Sequence, residues 1–188
     1  QFQDNFNNTL NYAGSAVLTQ KIGKFSYLEP SIRVGILSEL LERKQGIPLF
    51  PEGFSREGAM VIDSLSPQFI KQSGYVRPGL KLNRNRENTR VSLGLQAETG
   101  WLNTSLESAT QAIRTYFRLL PALTYENEYN PGKRIMLNAG SSVNTPQIVQ
   151  LLPVVNNINP LSVVTGNPYL EPEYVNRFNL HWLFFDQF

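Results

Sequence analysis

"NTPQIVQLLPVVNNINPLSVVTGNPYLEPEYVNRFNL", residues Asn144 to Leu180, is a long connection that ends by turning into a strand. Pro146, Pro153, Pro160, Pro168 and Pro172 run through it. Each fixes φ and lowers the entropy of the unfolded chain. "QIVQLL" (Gln147 to Leu152) spaces its apolar residues as a helix does and predicts a turn or two lying on a rim. Asn156, Asn157, Asn159 and Asn167 can close turns through their side chains. In a second reading, the amides of Asn156, Asn157 and Asn159 contact a ligand such as a sugar. From Phe178 onward the pattern is that of a strand: Phe178, Leu180, Trp182 and Phe184 oppose Asn179 and His181.

The same two-residue period governs what comes before. Leu10, Tyr12, Ala16 and Leu18 oppose Asn11, Ser15, Thr19 and Lys21. Leu28, Pro30, Ile32, Val34, Ile36 and Leu40 oppose Ser26, Glu29, Ser31, Arg33, Gly35 and Glu39, with a slip near Tyr27 and Leu28. Val76, Pro78, Leu80 and Leu82 oppose Tyr75, Arg77, Gly79 and Lys81. Val91, Leu93, Leu95, Ala97 and Trp101 oppose Ser92, Gly94, Gln96 and Glu98. Ile113, Phe117, Leu119, Leu123 and Tyr125 oppose Arg114, Tyr116, Arg118 and Thr124, and Ile135, Leu137 and Ala139 oppose Arg134, Asn138 and Ser142. The prediction is an all-β, antiparallel up-and-down meander of about seven long strands.

The connections carry the next step. Ile22–Phe25, Asn83–Asn88 and Asn127–Lys133 read as tight turns. Arg43–Pro67, Leu102–Thr110 and residues 144–176 read as long connections, so short and long alternate strictly. In a meander this puts tight turns at one end and long loops at the other, as in outer-membrane barrels. A soluble β-sandwich also needs one apolar face per strand. Three features favour the barrel. The polar faces carry Arg33, Glu39, Arg77, Lys81, Glu98, Arg114, Arg118 and Arg134, which suits a wet lumen. Tyr12, Phe25, Tyr27, Trp101, Tyr125, Trp182 and Phe184 fall near strand ends, as in interfacial girdles. The strands also exceed the roughly 5–6 residues usual in sandwiches.

Composition removes several classes of function. The 188 residues, read as one barrel segment, carry a formal charge of +2, and the basic residues are scattered, so no nucleic-acid surface is expected. There is no cysteine, hence no disulfide or thiolate metal site. The start "QFQDNFNNTLNYAG" lacks the basic and apolar regions of a signal peptide. His181 is the only histidine and lies on a strand. The carboxylate pairs Glu171/Glu173 and Glu126/Glu128 sit beside loop residues, and "GNP" at Gly166 has turn chemistry. No enzymatic activity, cofactor or metal is expected.

With the pattern laid out, a resemblance emerges. Pro146, Ile148, Gln150, Leu151, Pro153, Asn156, Asn159, Pro160 and Leu161, then Gly166, Asn167, Pro168, Leu170, Pro172 and Glu173, follow a definite order. It is similar to a segment of the TonB-dependent receptor-like outer-membrane barrels of Bacteroidota. The resemblance implies an outer-membrane location and energised uptake of a glycan, peptide or iron complex. It also implies contact with membrane lipid, and coupling to the TonB complex through a plug and TonB box that these residues do not contain. Seven strands cannot close around a plug, so the chain reads as a barrel fragment whose open edges pair, for instance with a second copy. The alternatives from other classes are a soluble carbohydrate-binding sandwich and a barrel acting as an adhesin or scaffold.

Overall fold

Each alternating stretch becomes a long antiparallel strand. The computed structural model describes residues 2–47, 60–61, 66–106, 110–154 and 165–185. The elements are β1 (Phe2–Val17), β2 (Gln20–Lys21), β3 (Ser26–Ile47), β4 (Met60–Val61), β5 (Gln68–Asn85), β6 (Thr89–Leu106), β7 (Thr110–Asn130), β8 (Lys133–Asn144), α1 (Ile148–Leu151) and β9 (Glu173–Phe184). The strands β1, β3, β5, β6, β7, β8 and β9 follow one another in a single sheet, and the two-residue strands β2 and β4 pair on β3. The result is a seven-strand meander, a half-barrel with edges at β1 and β9.

Pairing carries the outward side chains into continuous rows. Leu28, Leu82, Leu93, Leu123, Ala139 and Phe178 are successive register partners across six strands. Pro30, Leu80, Leu95 and Pro121 form the next row, and Val34, Val76, Thr99 and Phe117 lie further up. These side chains stay open to the surroundings: Phe178 is 69% exposed and Leu180 62%. No second sheet covers them among the described residues. From Ser26 to Ile36 the rows climb about 33 Å along the strand, which a tilt of about 35–45° reduces to about 25 Å, the height of a lipid-facing band. Above it, the outward positions of β3 turn mostly polar, with Glu42 accepting a hydrogen bond from Gln68 at 3.1 Å.

Aromatic and basic side chains mark the borders of the band. At the tight-turn end Trp182 Nε1 donates to Tyr129 Oη at 3.0 Å, Lys133 lies 4.1 Å over the Phe184 ring, and Lys24 lies 5.2 Å over Phe25. At the other end Tyr12 and Trp101 face outward. Tyr27 departs from this pattern: it pairs with Asn83, on the opposite face. Nor is there a slip at Tyr27 and Leu28. The β3–β5 register runs unbroken from Ser26, which simply sits at the rim end of the apolar face.

The strands outrun their predicted ends. Leu102–Thr110 is not a long connection, because β6 continues to Leu106 and β7 starts at Thr110, paired with it. Strict alternation of short and long connections therefore fails at residues 107–109. Likewise β3 continues past Arg43 to Ile47, β1 begins at Phe2 instead of Leu10, and β7 reaches Asn130. The β7–β8 turn is then only Pro131–Gly132, where Gly132 takes φ +76, a conformation that favours glycine.

The buried core is the second surprise. Leu41, Phe69 and Leu102, all on the face opposite the lipid band, pack with Ile148, Leu151 and Leu152. The "QIVQLL" segment thus forms α1 as predicted, but it docks onto the inner face of the strands near their long-loop ends and does not lie along a rim. Gln147 N donates to Gln150 Oε1 at 2.8 Å, closing the first turn. The chain then returns over itself: Gly166 N donates to Leu152 O at 2.9 Å and Asn167 N to Gln150 O at 2.8 Å. A Cβ on Gly166 would stand 2.5 Å from Leu152 O, so only glycine permits this approach.

Candidate functional site

Polar residues alternate with the lipid-facing ones and so share the inner face. There they are organised mostly as opposite charges held by neighbouring strands. Arg77 of β5 forms an ion pair with Glu98 of β6, and Tyr116 Oη of β7 donates to Glu98 Oε1 at 2.9 Å. Glu98 is 2% exposed, so its charge is matched where water is scarce. Tyr75 and Tyr116 lie across Gly35 and Gly100, where a Cβ would come within 2.5 and 2.4 Å of the rings. Arg77 also stacks 4.9 Å from the Tyr75 ring. Lys71 meets Glu39 at 2.6 Å. Nearer the tight turns, Lys81 stands 3.9 Å from Glu29, and Arg134 contacts Glu126 and Glu128 at 3.1 and 3.2 Å.

The remaining basic residues singled out from sequence behave differently. Arg33 is exposed on the inner face and makes no hydrogen bond or ion pair among the described residues. Together with Glu29, Ser31, Lys81, Ser92 and Gln96 it lines a depression of about 330 Å³. Arg118 donates to the carbonyl of its neighbour Phe117 at 3.0 Å. Arg114 donates to the carbonyls of Pro168 and Leu170 and stacks 5.6 Å from Tyr169, so it clamps the returning connection. Asn156, Asn157 and Asn159 lie outside the described residues.

The clamp has a structural cause. Pairing of β7 with β8 ends at Ala122↔Gly140, while β8 and β9 stay paired to Asn144↔Glu173. The upper edge of β7 is therefore left to side chains and loop: Tyr174 Oη donates to Leu119 O at 2.9 Å, just below the Arg114 contacts. His181 pairs with Met136 on the inner face. Among the described residues no three His, Cys, Asp or Glu side chains gather as metal ligands.

Sequence reading missed two buried basic residues, Lys71, which meets Glu39, and Arg43. Arg43, assigned to a loop, is an inward-facing strand residue and only 6% exposed. Opposite Asn5 of β1, it lines a cavity of about 460 Å³ under the docked connection. The signal available was the unbroken parity from Arg33 through Glu39 to Arg43.

Comparison with known proteins agrees with this architecture. No curated protein matches the chain. The sequence model of the outer membrane protein beta-barrel family, however, matches residues 71–188, which takes in β6 to β9, most of β5 and the docked connection. With a lipid-height apolar band outside, a charged face inside and well over half its length matched, the chain belongs to the outer membrane protein beta-barrel family and resides in the outer membrane.

Proposed function

We propose that this half-barrel is part of a TonB-dependent receptor-like transporter that takes up a polar nutrient, a glycan, peptide or iron complex. The observation that carries the reading is the docked connection after β8. Its proline, asparagine and glycine order resembles that of TonB-dependent receptor-like barrels of Bacteroidota, and its α1 sits on the inner face over Leu41, Phe69 and Leu102. A connection folded inward narrows the outer mouth and presents polar side chains to whatever enters. The charged inner wall below, with Arg33 and Lys81 solvent-accessible, suits a hydrated solute passing a plug. Membrane lipid contacts the apolar band, and the TonB complex engages through segments beyond these 188 residues.

The test is uptake in the native host. A labelled nutrient that accumulates in wild-type cells should cease to accumulate when the TonB protein is deleted or the proton gradient is collapsed, while surface binding persists. Uptake indifferent to both treatments would overturn the proposal. Binding to host surfaces with no uptake of any solute would favour an adhesin instead.

A further inference from the structure

The buried corner around Arg43 holds polar atoms whose needs are unmet. Nε and Nη1 of Arg43 are shielded and meet no acceptor among the described residues, and Oε1 of Gln3 meets no donor. Gln3 is anchored beside it, donating from Nε2 to Asn5 Oδ1 at 3.1 Å. Both side chains line the cavity of about 460 Å³ whose opposite wall is the docked connection, through Leu152, Thr165 and Leu170. A buried guanidinium without an acceptor is strongly unfavourable. A ligand that meets these atoms must bring an anionic acceptor for Arg43 and, close by, a donor for Gln3.

We propose that this cavity binds a hydroxy-carboxylate, the chemistry of a uronic acid residue in an acidic glycan. The carboxylate accepts from Arg43, a neighbouring hydroxyl donates to Gln3 Oε1, and the apolar face of the sugar ring lies against Leu152 and Leu170. Neutral hexoses leave Arg43 unmatched, and sulfate, which has acceptors only, leaves Gln3 unmatched. The assignment names a substrate class for the uptake reading and rests on that reading for the source of the ligand.

Titration calorimetry on the protein purified in detergent from outer membranes, with glucuronate, glucose and sulfate as probes, tests it. Glucuronate should bind at least 10-fold more tightly than glucose or sulfate. Arg43→Met should weaken glucuronate about 10- to 100-fold and Gln3→Leu about 3- to 10-fold. Without ligand, Arg43→Met should melt at or above the wild-type temperature, because Nε and Nη1 meet no acceptor among the described residues. Unchanged glucuronate affinity in Arg43→Met, sulfate binding as tight as glucuronate, or a ligand-free melting point lowered by several degrees would each overturn the site. If Arg43→Met does not fold, Arg43→Lys replaces it: affinity at least 5-fold weaker with unchanged melting supports the site, and wild-type affinity overturns it. Binding in detergent needs no energy source. Glucuronate bound but not imported through TonB would keep the site and lose the uptake reading, whereas TonB-driven import of another nutrient without glucuronate binding would lose only the site.

Discussion

Glu98 illustrates how a charged wall is kept in place. Its carboxylate is almost fully buried, yet it holds Arg77 on one side and Tyr116 on the other, and Tyr116 is itself seated on Gly100. Removing one partner of such a group leaves the other charge uncompensated, which costs more than the pair contributes. Glu98→Gln should therefore lower unfolding stability by about 3 kcal/mol, and adding Arg77→Met should restore part of the loss. Denaturant unfolding in lipid vesicles reads both, and a double variant no more stable than Glu98→Gln would refute the coupling. Arg33, exposed and directly opposite Arg77 in the β3–β5 register, has no such partner among the described residues and tolerates substitution far better. Strand parity placed both residues on one face from sequence alone. It could not tell a paired charge from an unpaired one, because pairing depends on register between strands.

At the level of elements, the docked connection is a small folded unit of its own. Ile148, Leu151 and Leu152 supply its apolar contacts, Gly166 and Asn167 close it on itself, and Arg114 ties its far end to β7. Leu151 is wholly buried, so Leu151→Ala should weaken docking by about 2–4 kcal/mol. Gly166→Ala should act in the same direction by forcing Leu152 O away. Limited proteolysis should then cut between Leu151 and Gly166 roughly 30 to 1,000 times faster in Leu151→Ala, with the strands unaffected. Equal cleavage rates in variant and wild type would show that the contact does not hold the segment. The prolines and the helical spacing of "QIVQLL" made the unit visible in the sequence, but not its seat. The seat is written in apolar doublets, Leu40–Leu41, Phe69–Ile70 and Trp101–Leu102, where one side chain points outward and the other, Leu41, Phe69 or Leu102, is buried under the docked connection. A search for alternation ends a strand at a doublet, so the pattern stops short in β3 and β6, and in β5 the polar run of residues 71–74 hides the early start.

For the whole molecule, the decisive property is which solvent each face meets. Leu95 lies in a central outward row, with Leu80 and Pro121 as register neighbours, and is 52% exposed in the isolated chain. Thr124, on β7, points to the charged interior. Leu95→Arg should cost about 2–4 kcal/mol in lipid vesicles, whereas Thr124→Arg should stay within about 1 kcal/mol. Similar costs for both would mean that the two faces do not differ in solvent. The same lipid sets the fate of the two edges. The outer edge of β1 and the far edge of β9 carry backbone N–H and C=O groups that no strand of this sheet reaches. Within hydrocarbon, unpaired groups of this kind cost several kcal/mol each, so open edges do not persist there. In membranes, β1 and β9 are therefore expected to pair with further strands, either of the parent barrel or of a second copy. The β1 amides that do not donate to β3 report on this directly. In outer-membrane preparations their hydrogen exchange should be slowed to the level of the central strands β5 and β6. In the isolated chain in detergent at low concentration, the same amides should exchange orders of magnitude faster. Fast exchange in both settings would mean the edge stays open, and the half-barrel would then have to lie in contact with water along β1.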